Sequence, residues 1–249
     1  MTEQWATTRR VAEDLELVLR TLQDYPALAR ALTDPATALA SKDALVRAVF
    51  TDVGPDTLGA LTPGLAAAWE SHRAFLAWAE ELAVQAAWDW AVAAGVLRQA
   101  IHEVFEFGQL VARDHEARAA ITDRRHPVEA RQGLVRDMVS ATLTPPAVQV
   151  IVATVSSRRG TIDQRVRAFV ELGAKTAGGR LATATVAMPL TAGQAARLGE
   201  VLTTRLGTTV ILEEIVDPAV LGGVRIECGA EVIDSTLAAR LETARREFA

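Results

Sequence analysis

Residues Val210 to Gly229 read Val-Ile-Leu-Glu-Glu-Ile-Val-Asp-Pro-Ala-Val-Leu-Gly-Gly-Val-Arg-Ile-Glu-Cys-Gly. This stretch starts as a β-branched run and breaks at Asp217-Pro218, because proline donates no ladder hydrogen bond and disfavours helical geometry in the residue before it. Gly222-Gly223 follow, and two residues without a Cβ permit positive φ or a bulge. From Val224 to Cys228, apolar and polar residues alternate as in a half-buried strand. The stretch therefore predicts two strands joined by a glycine-containing turn.

The sequence around this stretch extends the pattern in both directions. A β-prone run covers Leu181 to Met188 and is followed by a helix over 192–206, which Thr191 caps and Gly207 ends. Val232 and Ile233 form a hairpin with the preceding strand around Gly229, and Ser235 caps a last helix. The predicted order is strand, helix, strand, strand, strand, helix, which is a small α+β unit.

The part of the chain before this unit is predicted to be helical. Within residues 1–34, Leu15, Val18, Leu19 and Leu22 fall on one helix face. Further helices are predicted after Ser41, taken as an N-cap, then from Leu58, from Leu82 to Leu97, and through residues 104–111. Inward faces are expected at Leu45, Val46 and Val49, at Val104, Phe107, Leu110 and Val111, and in the C-terminal unit at Ala195, Leu198, Val201 and Leu202. The fold class is mostly α, with a small α+β domain at the C-terminus.

The helical part repeats itself. Leu32-Thr33-Asp34 recurs as Ile121-Thr122-Asp123, and Ala44-Leu45-Val46-Arg47 recurs as Gly133-Leu134-Val135-Arg136, both 89 positions later. After a shift of one residue, Pro55-x-x-Leu58-x-x-Leu61 matches Pro145-x-x-Val148-x-x-Ile151. Ser71-His72-Arg73 matches Ser157-Arg158-Arg159 in a looser register. A fixed offset indicates a duplicated supersecondary unit, here a helical bundle.

Composition excludes several classes of function. The net charge of -5 over 249 residues argues against non-specific nucleic-acid binding, which needs a basic face. The single cysteine excludes an intramolecular disulfide and a multi-thiol metal site. The run from Met138 to Ser157 has no charge, but Pro145-Pro146 divides it, so it predicts two buried helices rather than a membrane span. Membrane association would come through partners.

No residue pattern predicts catalysis, a cofactor or a metal. None of the four histidines has a second His or a Cys at the i+3 or i+4 spacing of a metal site. Cys228 lies on the inward phase of a strand, which favours packing over a reactive thiol. Gly222-Gly223 lack the strand–glycine loop–helix context of a phosphate site and are interpreted as a turn or bulge. The chain is therefore predicted not to be an enzyme.

Four tryptophans, Trp69, Trp78, Trp88 and Trp90, lie within 22 residues. Core packing is the ordinary interpretation, and an aromatic groove that takes a partner helix is the functional one. Trp88 and Trp90 point about 200° apart on a helix, so they cannot share one narrow face. One of them is expected at a surface, at an interface or against the repeated segment.

The spacing of the C-terminal motif resembles the delta subunit of rotary ATP synthases, the family of the oligomycin-sensitivity-conferring protein. The resemblance implies a six-helix bundle at 82–176, a hinge at 177–180 and a C-terminal domain at 181–249, with 1–81 as an extra, partial copy of the bundle. The residues that carry the family signature are Val216, Asp217, Pro218, Leu221, Gly222, Gly223, Val224, Gly229 and Asp234.

The resemblance implies a non-catalytic stator subunit that joins the catalytic head to the b subunit of the peripheral stalk. Such a subunit resists rotor torque, so that proton flow drives ATP synthesis at the cytoplasmic face of the cell membrane. In the family, the first and fifth helices of the bundle grip the N-terminal helix of a head alpha subunit. By position, the apolar contacts here are Ala87, Val92, Val96, Val148, Ile151 and Val152, and the stalk contacts are Leu237, Arg240 and Leu241.

An unrelated helical scaffold or ligand-binding regulator with an α+β tail is the alternative interpretation. A DNA-binding regulator would need a recognition helix that is basic on one face. Only Arg245 and Arg246, in the last turns of the final helix, approach that pattern.

Overall fold

The computed structural model describes residues 2–123, 125–157, 159–220 and 222–235, with side chains from Trp5 onward. Its chain divides into two compact units, residues 1–169 and residues 170–249. The first unit is helical, and the second contains a sheet. The helices are α1 (Thr2–Asp24), α2 (Pro26–Thr33), α3 (Leu39–Val49), α4 (Pro55–Ala66), α5 (His72–Ala93), α6 (Leu97–Arg113), α7 (His115–Thr122), α8 (Val128–Val139), α9 (Pro145–Ser156), α10 (Ile162–Thr176) and α11 (Ala192–Leu206).

The helix boundaries repeat at the offset on which the predicted duplication was based. Helices α2 and α3 begin 89 residues before α7 and α8, and α4 begins and ends 90 residues before α9. Helix α5 begins 90 residues before α10, and α1 ends 89 residues before α6. The first copy of the repeat is therefore α1–α5, and the second copy is α6–α10.

Equivalent side chains make the same contact in both copies. In the first copy, the Asp14 carboxylate accepts a hydrogen bond from the backbone N–H of Gly54, the N-cap residue of α4, at 2.8 Å. In the second copy, Glu103 accepts from the backbone N–H of Thr144, the N-cap residue of α9, also at 2.8 Å. Each carboxylate lies at the positive end of a helix dipole, where a negative charge stabilises the helix.

The end of the repeat aligns differently from the sequence-based match. Ser71 caps α5 by accepting from the Ala74 N–H at 3.2 Å, and Thr161 accepts from the Gln164 N–H at 3.3 Å at the start of α10. Both pairs are 90 residues apart, so Ser71 corresponds to Thr161. The match of Ser71 with Ser157 was wrong because the offset of 90 residues holds through both five-residue loops, 67–71 and 157–161, so Ser157 corresponds to Ala67.

The core of the first copy lies between α1 and α5. The apolar stripe of α1 is buried as predicted, with exposures of 1–5% at Leu15, Val18, Leu19 and Leu22. Burying each such side chain contributes about 1.5–3 kcal/mol. The stripe packs along α5 and joins a cluster that includes Leu32, Leu61, Leu65, Phe75 and Trp90.

Helix α5, which belongs to the first copy, packs against helices of both copies. The helix expected from Leu82 begins ten residues earlier, at His72, so position 82 falls inside it. Trp90 lies in the core of the first copy, while the Trp88 indole donates to the carbonyl oxygen of Phe169 at 3.1 Å. Both indoles are buried, and Trp90 is the one packed against the repeated segment. Aromatic side chains on opposite sides of one helix thus bind the two copies together.

Several local predictions were wrong. Helix α3 begins at Leu39 after the N-cap residue Ala38, so Ser41 lies inside the helix and does not cap it. Val49, Leu110 and Val201 were expected to face inward, but each is 43–54% exposed. These helices are covered on one narrow side only, so part of each periodic apolar face stays in water.

The second unit has the predicted strand and helix order up to Asp234. Its strands are β1 (Gly179–Val186), β2 (Thr209–Val216), β3 (Val224–Cys228) and β4 (Glu231–Asp234), in the sheet order β2-β1-β3-β4. Strand β1 is parallel to β2 and antiparallel to β3, and β3 and β4 form the expected hairpin. Gly179 and Arg180, expected in a hinge, already pair with Thr209 and Val210. The final helix expected after Ser235 lies outside the described residues.

Candidate partner-binding surfaces

The signature residues build the connection between β2 and β3. Strand β2 ends at Val216, as the Asp217-Pro218 break predicts, and the Asp217 N–H donates to the carbonyl oxygen of Val186 at 2.8 Å. Gly222 and Gly223 have φ values of 68° and 83°, a backbone conformation that side chains with a Cβ rarely adopt. The two glycines therefore allow the chain to reverse and place β3 on the other side of β1.

The other signature positions complete the hairpin. Val224 pairs with Val186 across the sheet, Gly229 turns the chain at φ 60°, and Asp234 pairs with Arg225. Cys228 is 3% exposed within the core of this unit, so the predicted packing role is confirmed. Four further predicted residues, Leu221, Leu237, Arg240 and Leu241, lie outside the described residues.

The six residues expected to contact the head helix divide into two groups. Val92 is 51% exposed and Val96 is half-buried. Ala87, Val148, Ile151 and Val152 are at most 9% exposed. Helix α9 in particular is buried on nearly every side, whereas its first-copy equivalent α4 is covered on one side only. Other helices of the chain therefore cover the side of α9 whose equivalent in α4 is exposed.

One of these helices is α1. The Gln149 side chain of α9 donates from Nε2 to the carbonyl oxygen of Ala12 at 2.5 Å, over a separation of 137 residues. Glu16 of α1 reaches Arg136 of α8 at 3.0 Å. A small cavity of about 20 Å³ lies between these helices and α5. We call this junction the α1–α9 seam, and its residues are Ala12, Glu16, Leu19, Arg20 and Gln23 of α1, Ala83, Val84 and Ala87 of α5, Gln132 of α8, and Gln149, Val150, Val152, Ala153 and Ser156 of α9.

The α1–α9 seam contains several polar groups among mostly apolar side chains. Gln132 Nε2 donates to Ser156 Oγ, and both side chains are buried. Burial raises the pKa of Glu16, and the nearby Arg136 guanidinium only partly opposes that rise. Gln149 is 8% exposed, and its Oε1 is buried and accepts no hydrogen bond from any residue that the structure describes. A buried acceptor without a donor is costly, so this position is not optimised for stability alone.

A signal for the seam was present in the sequence. Gln149 interrupts the apolar run Val148-Gln149-Val150-Ile151-Val152, in a helix that proves to be buried almost throughout. An amide among β-branched side chains indicates a specific polar contact, because buried polar groups are nearly always hydrogen-bonded. The identity of its partner, the backbone of α1, could not be read from the pattern.

A second cavity, of about 570 Å³, lies beside the ends of α7 and α9. Its arginines are already engaged: Arg118 forms a bidentate pair with Asp163 at 2.7 and 2.9 Å, and Arg131 donates to the carbonyl oxygen of Ile121 at 3.1 Å. Arg165 donates to the carbonyl oxygens of Ser157 and Thr161. These guanidinium groups satisfy carbonyl oxygens near helix C-termini and give the cavity a structural role.

Neither a cluster of metal ligands nor a membrane span occurs in the described part of the chain. No three His, Cys, Asp or Glu side chains come together there as metal ligands would. None of its helices combines the length and the apolar character that a membrane span requires. What the two units offer is a set of packed helices and a small mixed sheet, which defines the class as a two-unit protein with a helical unit and an α+β unit.

Comparison with known proteins identifies the family. The sequence model described as ATP synthase delta (OSCP) subunit matches residues 84–248. A protein of Beutenbergia cavernae named ATP synthase subunit delta is 32% identical over all of this chain and 93% of its own length. Proteins with the same name from Streptomyces avermitilis and Thermobifida fusca are 34% and 32% identical, over 96% and 98% of this chain and 89% and 91% of theirs. The chain belongs to the ATP synthase delta (OSCP) family.

The comparisons also show a relative that contains the segment corresponding to the first copy of the repeat. The family model begins at residue 84, inside α5, and so leaves out α1–α4. The relatives nevertheless align with the chain from end to end. The chain is therefore similar to long members of the family that include the segment before residue 84.

Proposed function

We propose that this chain is a non-catalytic stator subunit of a rotary, proton-driven ATP synthase. It joins the catalytic head to the b subunit of the peripheral stalk and resists the torque of the rotor. The observation that carries the proposal is the match of full-length relatives named ATP synthase subunit delta. A joint of this kind needs large buried helix faces and slow dissociation, which the helical unit supports.

The proposed partners are two proteins of the same complex. The helical unit binds the N-terminal helix of a head alpha subunit through α5 and α9, and the C-terminal unit binds the b subunit through the sheet and residues 235–249. The chain is held peripherally at the cytoplasmic face of the cell membrane by these contacts, with no nucleic acid and no cofactor involved. The division into a helical bundle and a C-terminal domain belongs to the same proposal.

Binding to the head tests the proposal directly. Purified chain is mixed with a catalytic head stripped of its own delta subunit, and the mixture is analysed by sedimentation velocity. We expect one chain per head in a tight complex. A known delta subunit serves as the positive control, and the absence of a complex between two folded proteins would overturn the stator function.

A deletion separates the two binding sites. Removal of residues 235–249 is expected to abolish binding to the b subunit and to leave binding to the head unchanged. Circular dichroism establishes that the helical unit stays folded. Equal loss of both interactions would contradict the two-site arrangement.

A further inference from the structure

We propose that the cavity of about 570 Å³ beside the ends of α7 and α9 binds inorganic phosphate or the phosphate group of a small molecule. We call it the arginine cavity, after Arg118, Arg131 and Arg165 in its lining. Its volume lies within the range of small-molecule sites, about 300–1,000 Å³. Phosphate binding at this place is a property beyond the stator function and does not depend on it.

The first copy of the repeat shows that the fold does not need all of these cations. At the offset of 89 residues, Arg118 corresponds to Ala29. At the offset of 90 residues, Arg165 corresponds to Phe75. Ala29 and Phe75 are 0% and 1% exposed, and both belong to the core of the first copy. Where the first copy has core side chains, the second copy therefore has guanidinium groups around a cavity.

The arginines are held in place, but they are not all neutralised. Arg118 is paired with Asp163 at 2.7 Å. Arg131 donates from Nη1 to the carbonyl oxygens of Ile121 and Val155, and it forms no ion pair with any residue that the structure describes. Its Nε is buried and has no acceptor among those residues either. Because a carbonyl oxygen carries only a partial charge, Arg131 keeps a positive charge that an oxyanion would balance.

The start of α8 adds backbone donors to the same cavity. The N-cap residue of α8 is Pro127, and no described side chain caps the N–H groups of the first turn. Pro127 and Val128, the first residue of the helix, both line the cavity. Uncapped N–H groups and the helix dipole together favour an anion at such a place. A phosphate group has more acceptor oxygens than a carboxylate, so it suits donors that come from a guanidinium and from a helix start.

Isothermal titration calorimetry of the full chain tests the proposal. Inorganic phosphate, glycerol phosphate and acetate are titrated separately, in a phosphate-free buffer at constant ionic strength. We expect saturable binding of phosphate or of its ester, with a rise in Tm that follows the occupancy. Tighter binding of the ester would identify a phosphorylated small molecule as the ligand, and tighter binding of inorganic phosphate would identify the free ion. Binding of neither, or binding of acetate with the same affinity, would overturn the proposal.

A carboxylate at the start of α8 tests the location of the site. Val128→Asp places a negative charge where an acid favours the helix but repels a bound anion, so we expect phosphate affinity to fall at least about tenfold. Leu39→Asp is the matched control, because Leu39 is the first residue of α3, the first-copy equivalent of α8, and is 43% exposed. It changes the net charge equally, and the affinity should stay that of the wild type. Equal weakening by the two variants, or by neither, would contradict the location.

Removal of the unpaired cation gives an independent test. Arg131→Gln is expected to lower phosphate affinity at least about tenfold, because the charge-assisted contact is lost. Lys42→Gln is the control, since Lys42 occupies the equivalent position of α3 and is also buried. Circular dichroism establishes that each variant is folded at the temperature of the titration. Wild-type affinity in Arg131→Gln would exclude the arginine cavity as the phosphate site.

Discussion

At the scale of single residues, Gly64 shows how tightly the first copy is packed. The Trp69 indole donates to the Gly64 carbonyl oxygen at 2.7 Å, and the Trp78 ring covers the glycine itself. Phe75 lies 5.7 Å from each indole between ring centroids and completes an aromatic cluster. The cluster depends on a residue without a side chain at its centre.

Replacing Gly64 with alanine is therefore expected to destabilise the chain. The new Cβ would lie 2.1 Å from the Trp78 ring, so the ring or the helix must move. Overpacking of this kind costs about 1–3 kcal/mol, which urea unfolding followed by tryptophan fluorescence would measure. Gly59→Ala, on the exposed side of the same helix, is the control, and equal stability of the two variants would contradict the packing argument.

The buried carboxyl group of Glu80 is expected to make the stability of the chain depend on pH. It is 3% exposed, and burial raises its pKa, against the opposing effects of a hydrogen bond with Ser157 and the charge of Arg159. Because the folded chain binds this proton more tightly than the unfolded chain, its contribution to stability falls as pH rises from the ordinary value of 4.5 through the raised pKa.

Glu80→Gln is expected to remove this dependence. The variant should have a higher Tm than the wild type near neutral pH, and the difference should shrink below about pH 4.5, where the buried glutamic acid is already neutral. Thermal unfolding across this range measures the difference. Glu81→Gln is the control at a site that is 60% exposed, and a constant difference for Glu80→Gln would rule out this cause.

At the scale of elements, helix α11 begins with a capping box. Thr191 Oγ1 accepts from the Gln194 N–H at 3.3 Å, and the Gln194 side chain accepts from the Thr191 N–H at 2.9 Å. The sequence predicted this cap and the left-handed Gly207 that ends the helix, because both depend on local backbone chemistry. The start of α5 was missed, although Phe75, Trp78, Ala79 and Leu82 fall at the i, i+3, i+4 and i+7 spacing of one helix face.

Thr191→Ala is expected to lower stability by about 1 kcal/mol, the usual cost of losing an N-cap. Thermal unfolding of the full chain, with hydrogen exchange of the α11 amides, would localise the loss to the C-terminal unit. Thr191→Ser should retain most of the stability because it keeps the hydroxyl. A loss of the same size in Thr191→Ser would indicate a packing role for the methyl group instead.

The burial of helix α9 determines which substitutions can test head binding. Val148 and Ile151 were expected to contact the head, but Ile151 is fully buried, and the equivalents of the two residues in α4 face the core of the first copy. Polar substitutions there would unfold the second copy and would report stability instead of binding. Val92, which is 51% exposed, and the half-buried Val96 are the informative positions among the six.

At the scale of the whole molecule, the shared helix α5 should make the helical unit unfold as one. Leu61→Ala in the first copy is expected to cost about 2–5 kcal/mol, because the side chain is 3% exposed. Native-state hydrogen exchange should then show the same loss of protection for amides of α4 and of α9. Loss confined to α1–α4 would mean that α5 does not couple the copies.

The sequence by itself determined the two kinds of unit, the duplication, the caps and the turn at Gly222-Gly223. These features depend on residues near one another in the chain, where periodicity and backbone preferences act directly. Only the tertiary structure decided that α1 lies on α9, because Ala12 and Gln149 are 137 positions apart and their contact involves a backbone carbonyl that any residue could supply. A contact between helices of different copies leaves no periodic signal, so its place depends on how the two copies pack around α5.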